Sequence, residues 1–140
     1  MKHIVFSAVV SAATVLATLC FGGQAIAGPG YICASSTPGN HGFLPPEMFI
    51  KLDEKAGTAI INDWVIDTEH DGPITVKAKA AAGGKYVMRW VGKFDETNAG
   101  RVRVNFTARF DPARKSYSIS GTMVGWSNQI RGSGACRIAR

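Results

Sequence analysis

Arg101-Val102-Arg103-Val104-Asn105-Phe106-Thr107-Ala108-Arg109-Phe110 is the stretch whose reading decides the fold. Every even position is apolar and every odd one, Ala108 being even, is polar. Successive side chains of a strand point to opposite faces, so this alternation buries one face and wets the other. It reads as a half-buried antiparallel strand. Asp111-Pro112-Ala113-Arg114 follows as a turn. The next run, 116–124, sets Tyr117, Ile119 and Met123 against Ser116, Ser118, Ser120 and Thr122. Upstream, 85–94 alternates Tyr86, Met88, Trp90 and Phe94 against Lys85, Arg89 and Lys93. The run 74–80 alternates Ile74, Val76 and Ala78 against Thr75, Lys77 and Lys79.

The same period extends outward. The run 58–67 reads as a strand with Ile60, Trp64 and Ile66 inward and Asp63 and Asp67 outward. Residues 48–52 are read as the first strand and 134–138 as the last. Short Gly-, Asp- and Asn-containing turns separate the runs, and no amphipathic helix stands out. The expected fold is all-β: an antiparallel up-and-down meander of about seven to eight strands. A twisted meander removes its exposed edges by closing into a small barrel. A two-sheet β-sandwich is the alternative.

Residues 1–27 have the layout of a cleaved signal peptide. Lys2 and His3 precede an apolar stretch, and Ala25-Ile26-Ala27 supplies the small-x-small cleavage pattern. Cys20 lies in the signal and fits a lipobox poorly. The expected location is the bacterial periplasm or outside the cell, and no later segment is long and apolar enough to span a membrane. Residues 28–46 form a Pro/Gly-rich, loop-like segment tied down by Cys33, and 47–140 form the β-meander domain. In an oxidising compartment Cys33 and Cys136 are expected to form one disulfide joining the two ends of the mature chain.

Charge is unevenly spread. Without Lys2 the mature net charge is +5, composed of −5 over residues 28–76 and +10 over 77–140. By parity, Lys77, Lys79, Lys85, Arg89, Lys93, Arg101, Arg103 and Arg109 share the outer face of neighbouring strands. Like charges side by side on a sheet repel, so the cluster points to an anionic partner: an envelope component or an acidic protein surface. The plain alternative is that Asp63 and Asp67, on the strand next to Lys77 and Lys79, neutralise it. Nucleic acid is not expected, because the aromatic side chains interleave inward.

Little else carries chemistry. His41 and His70 lie in loop-like stretches, and no nucleophile–base signature or cofactor motif accompanies them. No enzyme activity and no cofactor are expected. Asp67-Thr68-Glu69-His70-Asp71-Gly72 resembles the start of a calcium loop, with Asp67, Glu69 and Asp71 as candidate ligands. Ala78 stands where the bidentate Glu would be, and an acidic turn explains the segment equally well. Trp64, Tyr86 and Trp90, on the inner face, and Trp126, in a polar Gly-rich stretch, are candidate ligand contacts at the barrel interior or mouth.

In size, single disulfide and strand rhythm the chain resembles small exported bacterial meander barrels. Two groups share those traits: calycin-like ligand binders and periplasmic inhibitors of proteases or lysozyme. Their diagnostic motifs have no counterpart here, so the resemblance assigns no binding residue. The expected role is an exported binding module for a small ligand or an envelope component. The alternative is a protein-interaction factor using its basic face or its loops.

Overall fold

The computed structural model describes residues 28–36, 44–96 and 100–140. Residues 1–27, with Cys20, and His41 lie outside the described residues. The elements are β1 (Gly30–Ala34), β2 (Glu47–Asp53), β3 (Thr58–Asn62), α1 (Trp64–His70), β4 (Ile74–Ala81), β5 (Lys85–Glu96), β6 (Gly100–Asp111), β7 (Ser116–Met123) and β8 (Gln129–Ile138). The strands pair in chain order and form a closed barrel. Every pairing is antiparallel, including β1 with β8. The closed barrel, rather than the sandwich, is the architecture.

The alternating pattern explains the core. On β6, Val102, Val104, Phe106, Ala108 and Phe110 are buried, and the intervening residues face outward. Phe106 sits at the middle of the interior, its ring stacked on Trp90 at 5.3 Å. It fits because its flanking strands carry glycine at the facing inner positions. A Cβ at Gly92 would come within 2.7 Å of the Phe106 ring, and one at Gly121 within 3.1 Å. Met48, Ile50, Ile61 and Met88 fill the remaining centre. This arrangement, apolar inside and charged outside, is the reverse of a barrel wall facing lipid. Among the described residues no helix is long and apolar enough to cross a membrane.

The barrel closes where β1 meets β8. That ladder is in register only over Tyr31–Cys33 against Cys136–Ile138, whereas β5 and β6 pair along eleven residues each. Cys33 lies directly opposite Cys136, and the two form the expected disulfide across this short seam. Beyond it the ladder is interrupted at Ala34 and resumes at Ser36, whose N–H donates to the Ser133 carbonyl at 2.9 Å. Gly134 occupies the interruption. A Cβ there would overlap the Ala34 carbonyl oxygen, so only glycine lets the strands approach this closely.

Three expectations need correction. The segment read as loop-like contains β1, because five residues next to a cysteine suffice to close the barrel. The last strand starts at Gln129 rather than at residue 134, so the second half of the polar Gly-rich stretch is strand, while Gly125 and Trp126 lie in the turn before it. Most important, 58–67 is not one strand. β3 ends at Asn62, and a short helix follows. Within β3, Ala59 and Ile61 point inward, not Ile60. Asp63 is the cause of the break. Its Oδ1 accepts the N–H groups of Val65 and Ile66, both at 2.8 Å, which caps α1. Val65 and Ile66 then turn into the core, and Trp64 is left half exposed.

Candidate functional site

The outer surface carries the charge pattern, and the register shows how it is laid out. Four parallel rows run across the barrel. In the first, Lys79 faces Val87, Val87 faces Arg109, Arg109 faces Ser118, and Ser118 faces Ser133. In the second, Arg89 faces Thr107, then Ser120, then Arg131. In the third, Val91 faces Asn105, then Thr122, then Gln129. In the fourth, Lys93 faces Arg103 directly. Lys77, Lys79, Lys85, Arg89, Lys93, Arg101, Arg103 and Arg109 are all exposed on this face.

Few carboxylates share this face. Asp63 is buried as the helix cap, and Asp67 lies on α1. Lys77 faces Thr58, and Lys79 faces Val87. Lys93 Nζ approaches Glu69 at 3.9 Å, and Arg101 Nε bonds Asp95 at 3.2 Å. Both pairs are exposed, so each stabilises by a few tenths to about 1 kcal/mol at most. Among the described residues, Lys77, Lys79, Lys85, Arg89, Arg103 and Arg109 have no carboxylate within ion-pair distance.

Next to this cationic wall lies a polar trough over β6, β7 and β8. Its larger part encloses about 460 Å³ and is lined by Ser36, Thr107, Arg109, Ser118, Ser120 and Arg131, among others. A second part of about 430 Å³ continues it toward Lys85 and Asp111, sharing Arg109, Ser118 and Ser133. The depression exists because β7 offers serine at each outward position from 116 to 120, while the long arginines stand at its sides. Ser36 closes one edge, its hydroxyl donating to the Ser133 carbonyl at 3.0 Å. Arg131 is oriented by Gln129, whose Oε1 accepts from its Nε at 3.0 Å. Arg131 and the serines were not singled out in the sequence as binding groups. The hydroxyls at alternate positions of 116–122 were the legible signal. Their proximity to Arg131 required the register.

The aromatic candidates are not brought together. Trp90 is buried and packed on Phe106. Tyr86 faces inward four residues away, at the far end of β5, where desolvation first and then the Glu54 carboxylate raise its pKa. Trp64 and Trp126 are about half exposed, Trp64 at the start of α1 with its ring edge-on to Phe94 and Trp126 in the β7–β8 turn.

The acidic segment is a helix end, not a loop. Asp71 is the αL cap residue at the C-terminus of α1, and its N–H donates to the Asp67 carbonyl. The Glu69 carboxylate accepts from the Lys93 backbone N–H at 3.0 Å, tying α1 to β5. Among the described residues no group of three or more His, Cys, Asp or Glu is placed to hold a metal ion. His70 lies exposed in the last turn of α1, 3.7 Å from Glu69.

Inside, Asp63 is the one charged side chain held against the apolar core at the α1 end. Burial raises its pKa, and the two N–H groups it accepts pull in the opposite direction and lose. The buried Tyr117 hydroxyl has its pKa raised mainly by desolvation, with Ser35 lowering and Asp63 raising it further. No protein-family model, curated protein or solved structure matches this chain.

Proposed function

We propose that this protein is an exported, non-enzymatic binding protein that recognises an anionic component of the bacterial envelope through its cationic outer wall. One observation carries the reading. Lys93 and Arg103 stand directly opposite each other, in a wall where six further lysines and arginines face outward and most lack a carboxylate partner. A directly opposed like-charge pair destabilises a sheet, so a partner that neutralises it gains what folding lost. A fixed patch of one sign also steers an oppositely charged partner during encounter.

The test is cosedimentation of the mature, disulfide-bonded protein with phosphatidylcholine vesicles containing lipopolysaccharide. Raising ionic strength from about 0.01 M to about 0.15 M shortens the Debye length from about 30 Å to about 8 Å and should release most of the bound protein. The double variant R101E/R103E should bind at least tenfold more weakly at low salt. Salt-independent binding, or none to the wild type, overturns the reading.

A second reading has its own observation. Trp64, Val124 and Trp126 are each at least half exposed, and all lie at the barrel end that carries α1 and the β7–β8 turn. Exposed tryptophans are frequent anchors of protein interfaces. That arrangement suits a protein-interaction factor, such as an inhibitor acting through its loops. Trp64→Ala and Trp126→Ala would abolish such an association and leave vesicle binding intact.

A further inference from the structure

The trough over β6–β8 is chemically different from the wall beside it. The wall is lysine, arginine and valine. The trough is a floor of hydroxyls with one guanidinium at each of two opposite corners. We infer that it is a binding site for a saccharide bearing phosphate or sulfate groups. The inference rests on the proposed anionic partner and names the part of it that is read.

Spacing supports this. Arg109 on β6 and Arg131 on β8 are two strands and two residues apart. With strands about 4.8 Å apart and a rise of about 3.4 Å per residue, their Cα atoms stand about 12 Å from each other. That spacing lets two anionic groups on neighbouring sugars each meet a guanidinium, the side chain suited to bidentate oxyanion contacts. Between them, Ser118, Ser120, Thr107 and Ser133 present hydroxyls on adjacent strands. Each hydroxyl both donates and accepts, as sugar hydroxyls do. Asp111 is the one carboxylate of the second part, and it is engaged with the Arg114 backbone N–H at 3.0 Å.

The same chemistry argues against other ligands. Among the lining residues of the larger part there is no aromatic ring on which a base could stack, and stacking is what single-stranded nucleic acids use. Apart from Ile119, that lining offers no large apolar side chain to anchor a protein partner. The floor lies on three consecutive strands of a closed barrel, so the hydroxyls are held in place before a ligand arrives.

The experiment is titration calorimetry with backbone-amide NMR mapping, on the mature oxidised protein. The probes are a heparin-derived sulfated tetrasaccharide, neutral maltotetraose, inorganic phosphate and oligothymidylate. The sulfated tetrasaccharide should bind and shift the amides of Ser118, Ser120, Gly132 and Ser133. Arg109→Ser and Arg131→Ser should each weaken it at least tenfold, and Lys55→Ser, in the β2–β3 turn outside both wall and trough, should change it less than twofold. Maltotetraose should not bind.

Equal binding of oligothymidylate overturns the saccharide assignment in favour of a generic polyanion surface. Complete displacement by inorganic phosphate at the tetrasaccharide's own affinity shows that only a free anion is read, which also overturns it. Shifts confined to β4 and β5, with both arginine variants unaffected, remove the trough while leaving the cationic wall as the binding surface. If the tetrasaccharide fails to bind while lipopolysaccharide vesicles bind in a salt-sensitive way, the trough inference alone fails. If neither binds, the proposed function fails with it.

Discussion

The outer sides of the two halves of the barrel differ, although one rule builds both. On β1–β3 the outward positions include Ile32, Phe49 and Ile60, all half buried, alongside Lys51 and Asp53. On β4–β8 most are lysine, arginine, serine and threonine, with Val87, Val91, Asp95, Asn105 and Gln129 among them, and the majority are exposed. The inner sides are alike, apolar throughout. The contrast follows from topology. Strands pair in strict chain order, so neighbours in sequence remain neighbours in space, and the charge of −5 over residues 28–76 and +10 over 77–140 stays segregated on two sides of the barrel. A fold with crossovers would have interleaved them. The difference teaches that, in a meander, segregated composition along the chain is itself a surface property.

The two halves are joined along two seams, and both are short. One is β1 with β8, carrying the disulfide. The other is β3 with β4, in register only over Thr58–Ile61 against Ile74–Lys77. The largest expected effect is therefore at the covalent seam. Reduction, or paired Cys33→Ala and Cys136→Ala replacement, should remove about 2–4 kcal/mol, because the bridge closes a loop spanning most of the mature chain. Calorimetry should show the melting temperature falling by about 10 °C or more. Hydrogen exchange should then accelerate first at Tyr31–Cys33 and Cys136–Ile138. An unchanged transition would break the picture of two walls held together at a weak joint.

An intermediate effect is expected at Asp63, the acidic group that the fold withdraws from the surface of the acidic half. Asp63→Ala removes the helix cap and should destabilise by about 1 kcal/mol in denaturant unfolding. Asp63→Asn keeps a capping oxygen and removes the buried charge. Because burial raises the folded-state pKa above the ordinary carboxylate value, the stability this group contributes is greatest below that value and is lost as the pH rises through the raised one. The Asp63→Asn variant should thus gain on the wild type as the pH rises, with the gap closing in acid. A gap that instead opens on acidification would show that the two N–H donors outweigh the burial.

The smallest effect is expected on the cationic wall itself. Arg103→Thr relieves the pair with Lys93 and places a β-branched residue on a strand. It should raise stability by a few tenths of a kcal/mol, up to about 0.5. A clear loss would mean that Arg103 has a stabilising role within the folded chain, and the case for an external anionic partner would weaken accordingly.

Much of this arrangement was legible beforehand, for a physical reason. On β4–β6 the eight outward lysines and arginines fall where parity puts them, because side-chain alternation is a local property of extended backbone. Cys33 and Cys136 form the disulfide that the sequence reading expected. The failures cluster at 58–67. There Ile60, Trp64 and Ile66 match the strand period by coincidence, whereas Asp63 offers its carboxylate to two backbone N–H groups and starts a helix. An Asp followed by three apolar residues was the available signal, and the apparent alternation masked it.

The chain by itself determined which side chains face inward on most strands and where the turns after β2, β4 and β6 fall. Only the tertiary structure decided that the meander closes with Cys33 opposite Cys136, that Asp63 leaves the surface, and that Arg109, Ser118, Ser120 and Arg131 border one trough. The first set depends on backbone geometry repeated every two residues. The second depends on register between strands far apart in sequence, and register is set only when the whole core packs at once.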